Sequence, residues 1–341
     1  MSTLDREQRA VEHLRETGFW LERSRAQTRR VEAYRKAADA IANLDPGDLL
    51  ALHEGGGVTQ VPGVGASTGA VITAALDGGV SPKLAELRAA GGEPLASSEL
   101  LEQLKGDLHS HTTWSDGGSP LPEMVITAQR LGREYLAITD HSPRLRVANG
   151  LTAERLRAQW AEIDAVQTRT DLRILKGIEV DILDDGSLDQ TDELLGQLDV
   201  VVASVHSKLA MDAESMTRRM VVAIANPRTT VLGHCTGQLV EGARGTRGRS
   251  SFDAEVVFQA CVQFNVAVEI NSRPERCDPP DELLALAHEM GCLFSIDTDA
   301  HAPGQLDFLA YGAARAEAQG IDPERIITTW PVDRLLEFAR S

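Results

Sequence analysis

The stretch Asp107-Leu-His-Ser-His-Thr-Thr-Trp-Ser-Asp116 decides how the rest of the chain is read. A strand-like start stops in two histidines one residue apart, His109 and His111, and a carboxylate, Asp116, follows five positions later. Residues i and i+2 of a strand point to the same face, so both imidazoles can address one ion while the chain bends and brings Asp116 round to another. A metal site follows from that reading, although two packed or surface histidines would leave the same His-x-His pair.

Repetition separates the two readings. Ile138-Thr-Asp-His141, Lys176-Gly-Ile-Glu179, Ala203-Ser-Val-His206, Leu232-Gly-His234 and Ile296-Asp-Thr-Asp-Ala-His301 each end an apolar, strand-like run in a metal-competent side chain. Of the nine histidines, only His13, His53 and His288 lie elsewhere, and scattered core histidines would not sort in that way. From Gly106 onward the strand-like runs (107–109, 135–139, 173–179, 200–205, 230–233, 267–270 and 293–296) alternate with helical patterns (122–131, 153–168, 192–197, 213–226, 251–264 and 281–290). Such alternation predicts a parallel α/β barrel, in which reacting groups gather where strands end and helices begin. All the candidate ligands fall at those ends.

Composition sets the bounds. At 341 residues the chain holds one large domain and a small one. The start, Met-Ser-Thr-Leu-Asp-Arg-Glu, lacks a signal-peptide pattern, and no apolar run approaches the ~20 residues of a membrane span, so a cytoplasmic protein is expected. Cys235, Cys261, Cys277 and Cys292 show no Cys-x-x-Cys spacing and are expected as free thiols; Cys235, next to His234, is either a neighbour of the site or a small buried hydrophobe. A formal net charge of -17 argues against broad electrostatic capture of nucleic acid. The charge is uneven, however: from Arg23 to Lys36 there are six basic residues against Glu32 alone.

Ahead of the barrel, residues 5–44 read as two helices, with Leu14, Phe19, Trp20 and Leu21 anchoring the first and Val31, Tyr34, Ala37, Ala38 and Ile41 the second. The stretch Val58-Thr-Gln-Val-Pro-Gly-Val-Gly-Ala-Ser-Thr-Gly-Ala-Val-Ile72 resembles a helix-hairpin-helix motif, where Gly63 and Gly65 permit a tight turn whose N–H groups receive a phosphate. A plain loop between packed helices is the alternative. The expected organisation is a helical domain over 1–95, a linker helix over 96–105 and a barrel over 106–341.

Together these motifs resemble the PHP (polymerase and histidinol phosphatase) family. The resemblance implies a distorted (β/α)7 TIM-like barrel, α/β in class, holding three divalent ions. Carried over position by position, it puts His109, His111, Glu179 and Asp299 on a first ion, Glu179, His206 and His234 on a second, and Asp116, His141 and His301 on a third. Imidazole and carboxylate ligands suit Zn²⁺, Mn²⁺ or Fe²⁺ without choosing among them. Asp140 and Asp297 stand as alternative carboxylates or as groups that orient the ligands. Residues 8–76 are similar to the N-terminal region of bacterial family X DNA polymerases, but the thirty-three residues between Ile72 and Gly106 are too few for a polymerase palm, so polymerisation is not expected.

Closely spaced divalent ions lower the pKa of a shared water and stabilise charge developing on phosphorus, which implies phosphate-ester hydrolysis. Lys208, Arg273 and Arg276 follow strand ends and are candidates to hold the substrate phosphate, with ordinary loop charges as the alternative. Arg244, Arg247 and Arg249 form either a lid or an exposed loop. The leading expectation is a phosphoesterase acting on nucleic-acid ends, a 3'-5' exonuclease or end phosphatase, with DNA contacted through the hairpin and the basic run. The other is a histidinol-phosphate-type small-molecule phosphatase.

Overall fold

Ser2 caps the first helix of the computed structural model, which describes residues 2–242 and 245–340. Its hydroxyl accepts the Asp5 N–H while the Asp5 carboxylate accepts the Ser2 N–H, so two end donors are satisfied reciprocally. This helix, α1 (Thr3–Arg23), leads a unit of residues 1–94 that also contains α2 (Thr28–Ala42), α3 (Asp48–Glu54), α4 (Ala66–Leu76) and α5 (Pro82–Gly91). Leu14, Leu21, Tyr34, Ile41, Val61, Val64 and Ile72 share its core.

The hairpin is folded around two of those residues. Val61 and Val64 are buried, which leaves Pro62 and Gly63 to make the turn, and Gly63 has a φ of 91° that side chains rarely adopt. The Gly65 N–H donates to Thr68 Oγ1 at 2.9 Å and opens α4.

The basic run from Arg23 to Lys36 is divided between two helices. Arg23 ends α1, Arg25 takes a left-handed φ of 58°, and α2 begins only at Thr28. Several of its charges are already engaged: Arg23 donates to the Glu93 carbonyl, Arg35 is ion-paired with the buried Glu22, and Lys36 pairs with Glu32 at 3.2 Å.

A second unit, 95–341, follows. The stretch 96–105, expected as a linker helix, makes only a 3-10 turn over Leu100–Gln103, because Leu104 is already extended and the Lys105 N–H donates to the Thr328 carbonyl. Leu100 and Leu104 are buried in this unit's core. The unit continues as β1 (Gly106–Asp107), α6 (Leu121–Arg130), β2 (Tyr135–Ile138), α7 (Ala153–Gln167), β3 (Arg173–Asp181), α8 (Asp192–Leu195), β4 (Val200–Ser204), α9 (Ala213–Ile224), β5 (Val231–Leu232), α10 (Ala254–Phe264), β6 (Ala267–Asn271), α11 (Asp281–Glu289) and β7 (Phe294–Asp297), with α12 (Leu309–Ala318) and α13 (Val332–Ala339) behind it.

Among the described residues the seven strands pair in parallel and in chain order. Beyond their regular parts, β1 and β7 approach each other: Ser110 bridges Ala300, and the His111 N–H donates to the Ala300 carbonyl at 2.8 Å. The result is a nearly closed (β/α)7 barrel, as expected. Period-2 alternation sorts its apolar residues. On β2, Leu136 and Ile138 face the helices, while Tyr135 and Ala137 join Leu108, Leu175, Val200, Val202, Val231 and Ala267 in an inner cluster. Ile327, Trp330 and Leu335 from the C-terminal stretch close that cluster, and the Tyr135 hydroxyl donates to the Trp330 carbonyl at 3.1 Å.

No described helix is long and apolar enough to cross a membrane. All four cysteines are free.

Candidate metal centre

Glu179, near the C-terminal end of β3, is the side chain on which the other ligand candidates converge. Its Oε1 lies 2.8 Å from His234 Nε2 and 3.1 Å from His206 Nε2. Its Oε2 lies 2.9 Å from His141 Nδ1, 3.3 Å from His109 Nε2 and 3.5 Å from His111 Nε2. Asp299 Oδ1 sits 3.4 Å from His111 Nε2 and 3.9 Å from His109 Nε2. Asp116 Oδ1 is 3.5 Å from His141 Nε2 and 3.4 Å from His301 Nε2. All nine candidates therefore meet at one mouth. Their donor atoms form overlapping groups of three or four: His109, His111 and Asp299; His109, Glu179 and His234; His141, Glu179 and His206; His111, Asp116, His141 and His301.

The spacing fits ions better than it fits mutual hydrogen bonds. Ligand atoms about 2.1 Å from a tetrahedral ion stand about 3.4 Å from one another, the separation seen around Asp116, Asp299 and His111. Several buried ring nitrogens, namely His109 Nε2 and both nitrogens of His111 and of His206, have no hydrogen-bond partner. Buried polar atoms left in that state are costly unless something else satisfies them. Divalent ions, each taking one nitrogen of an imidazole, would satisfy part of this set.

Electrostatics inside the cluster keep its carboxylates ionised. Burial alone would raise the Glu179 carboxyl, but the imidazoles of His206, His109 and His141 hold it well below the usual carboxylate range. Burial likewise opposes the ionised form of Asp299, and Arg276, Arg273 and His109 overcome it, so this carboxyl is also well below its ordinary value. Burial, helped by neighbouring His301 and His141, pushes the His111 imidazole down to about 3, which keeps it neutral and ready to donate a lone pair.

The three basic candidates part company here. Arg276 is turned inward, with Nε 2.9 Å from Asp299 Oδ2, so it braces a ligand carboxylate rather than standing as a loop charge. Arg273 lies at the rim, 3.0 Å from His301 Nδ1 and 3.6 Å from Asp299 Oδ1. Lys208, expected to face the same mouth, is instead paired with Asp184 and its side chain is 63% exposed. A left-handed backbone at Lys208 (φ 52°) goes with that outward course. Of the arginines in the 242–250 loop, Arg244 lies outside the described residues, while Arg247 and Arg249 are exposed and donate to the Gly237 carbonyl and to Gln238, the exposed-loop alternative rather than the lid.

Asp140 and Asp297 act around the ligands. The Asp140 carboxylate accepts from the Thr112 and Ser115 N–H groups and from Gln159 Nε2, which fixes the loop between His111 and Asp116. Asp297 accepts the Leu108 N–H at 2.8 Å. Sequence reading missed Glu269, Asn271 and Asp181. Glu269 Oε1 is 2.6 Å from His109 Nδ1, Asn271 Nδ2 donates to Glu269 at 3.2 Å, and the Asp181 carboxylate accepts the His206 N–H at 3.1 Å. The signal for two of them was present: Glu269 and Asn271 are polar residues two apart in the otherwise apolar β6, hence on one face of it.

Comparison with known proteins adds the family. Residues 107–272 match the PHP domain and residues 5–81 match a helix-hairpin-helix domain. Over 248 residues the chain is 39% identical to the DNA polymerase/3'-5' exonuclease PolX of Bacillus subtilis (strain 168), an alignment covering 71% of this chain and 43% of that protein. The chain thus spans under half the length of that relative. A probable phosphatase of Caldicellulosiruptor saccharolyticus is 27% identical over 248 residues, 70% of this chain and 96% of its own length. The structure of histidinol phosphate phosphatase from Lactococcus lactis, complexed with zinc, L-histidinol and phosphate, superposes with a TM-score of 0.47 at 18% identity, over 64% of this chain and 95% of that one. By the matched segments, the chain carries a PHP domain in its barrel and a helix-hairpin-helix domain ahead of it, and its cluster of imidazoles and carboxylates is consistent with a metal-dependent phosphoesterase.

Proposed function

We propose that the protein hydrolyses phosphate esters at nucleic-acid ends, as a 3'-5' exonuclease or an end phosphatase, using three divalent ions of zinc, manganese or iron. The observation that carries the proposal is the union, in one chain, of the Glu179-centred cluster with a helix-hairpin-helix domain. The 39% identity to a polymerase and exonuclease supports it. His109, His111, Glu179 and Asp299 would hold one ion, Glu179 with His206 and His234 a second, and Asp116, His141 and His301 a third. Ions bound there supply an activated water and offset the charge that develops on phosphorus.

The chain's own residues do the rest. Glu179 keeps both oxygens ionised between two groups of imidazoles and so links them. Arg273, at the rim, offers guanidinium N–H groups to a substrate phosphate, and Arg276 keeps Asp299 aimed at the cluster. Lys208 reaches a phosphate only by leaving Asp184. The first turn of α4, brought round by the Gly63–Gly65 turn, presents backbone N–H groups to a DNA phosphate, a contact that carries no sequence readout. Arg29 and Arg30, exposed on α2, add local positive charge. A cytoplasmic location goes with this reading.

A second reading, a histidinol-phosphate-type phosphatase, is favoured by the net charge of -17 and by the probable phosphatase that aligns over 96% of its length. One comparison separates them: protein reloaded with Mn²⁺ or Zn²⁺ is given 3'-labelled oligonucleotide and histidinol phosphate in parallel. Shortening or dephosphorylation of the oligonucleotide is the expected result. Turnover of histidinol phosphate with the DNA untouched would overturn the proposal in favour of the second reading.

A further inference from the structure

Two of the loops that reach the mouth are joined by a side chain that touches no ligand. Arg155, half-buried on α7, donates through Nη1 to the Asn149 carbonyl at 2.6 Å and to the Gly150 carbonyl at 3.2 Å, and through Nη2 to the Trp114 carbonyl. The guanidinium also lies 6.0 Å from the centre of the Trp114 ring. Asn149 repeats the link, its Nδ2 donating to the same Trp114 carbonyl at 3.3 Å. Trp114 stands between His111 and Asp116; Asn149 and Gly150 end the loop that begins at His141, closed where the Leu151 N–H donates to the His141 carbonyl at 2.7 Å.

The neighbourhood is built for this purpose on both sides. A Cβ at Gly150 would fall 1.8 Å from the Ser142 carbonyl oxygen, so the His141 loop closes that tightly only on glycine. Arg155, Gln159 and Glu162 occupy i, i+4 and i+7 of α7, one face of the helix. Each acts on the loop after β1: Gln159 through Asp140, and Glu162 by accepting the Trp114 indole N–H at 2.5 Å.

We infer that Arg155 is a positioning residue that sets the separation of Asp116 from His141 and thereby tunes how tightly the ion they share with His301 is held. The inference rests on the metal-dependent reading of the site. Asp116 is the ligand most in need of such support, since its side chain is 27% exposed and it sits on a loop between β1 and α6, whereas Glu179 is fixed within a strand. Asp140 still holds Thr112 and Ser115, so removing the guanidinium loosens only the tie between the Trp114 carbonyl and the Asn149 loop, while the groups around Glu179 and Asp299 keep their own braces.

The test is metal stoichiometry rather than turnover. Wild-type protein and Arg155→Ala are stripped with chelator, equilibrated with limiting Mn²⁺, passed through a desalting column and analysed for bound metal, with thermal unfolding of the stripped proteins measured alongside. The expected result is one ion fewer per chain in Arg155→Ala, restored at Mn²⁺ roughly tenfold or more higher, the range typical of lost ligand support. Unfolding of the stripped form should change little. Asn149→Ala, which cuts one of the links, should shift the same ion by less. Equal stoichiometry and affinity in wild type and Arg155→Ala would overturn the inference, as would equal weakening of every ion. A wild type that binds no metal would instead overturn the metal-dependent reading itself, so the two failures are distinguishable.

Discussion

Glu269 couples His109 to His234, with Oε1 2.6 Å from His109 Nδ1 and Oε2 accepting the His234 N–H at 2.5 Å. An Nδ1–H donated to this carboxylate leaves the Nε2 lone pair of His109 facing Glu179 and Asp299. Replacing Glu269 by Gln keeps the shape but removes the charge that fixes the tautomer. Metal affinity is expected to fall about 10- to 100-fold, read by competition with a chromogenic chelator. Unchanged affinity would show that His109 needs no such partner.

Glu179 is the link between groups of imidazoles, so its loss should act on more than one ion. Glu179→Gln is expected to lower hydrolysis by about 10²-fold or more, because the activated water and the charge on phosphorus both depend on that linkage. Elemental analysis of the same sample should show reduced bound metal. Retained metal with lost activity would argue for a general base at this position instead.

The hairpin offers a separation of binding from chemistry. Gly63 has a φ of 91°, and a valine there would carry strain of about 1–3 kcal/mol at the turn. Gly63→Val should reduce cleavage of a long oligonucleotide while hydrolysis of a small chromogenic phosphate stays within about twofold of wild type. Equal losses on both substrates would speak against a DNA-anchoring role for the turn.

Trp330 closes the inner cluster at the end of the barrel that β1 and β2 enter, 6% exposed beside Tyr135 and Leu335. Trp330→Ala should cost about 3–5 kcal/mol of stability, measured by denaturant unfolding. Because the residue lies away from the ligands, metal stoichiometry of the folded fraction should be unchanged.

Most of the ligands were legible because they lie at or just beyond the end of a strand, and a histidine or carboxylate that ends an apolar run has left the core for the mouth of the barrel. His109, His141, His206 and His234 needed only that pattern and the barrel's habit of placing strand ends on one face. What could not be read was pairing between loops. Lys208 follows its strand as a phosphate-binding residue would, and nothing in sequence says that Asp184, twenty-four residues earlier, captures it. Arg276 reads as a candidate phosphate-holding residue or a loop charge, yet the turn after β6 folds it onto Asp299. Glu269 was passed over because an acidic residue inside a strand has no local partner; its partners, His109 and His234, come from the segments just after β1 and β5. The basic run from Arg23 to Lys36 is divided for a local reason, a left-handed Arg25 between α1 and α2. The linker helix failed because Leu100 and Leu104 are drawn into the barrel's core, which favours a short turn over a free helix.

The most direct measurement follows phosphate-ester hydrolysis and bound metal together as chelator-stripped protein is titrated with Mn²⁺. Activity should be absent at the start, rise as ions bind, and level off near three per chain, with Glu179→Gln flat throughout. Full activity in protein that elemental analysis finds free of metal would contradict the account.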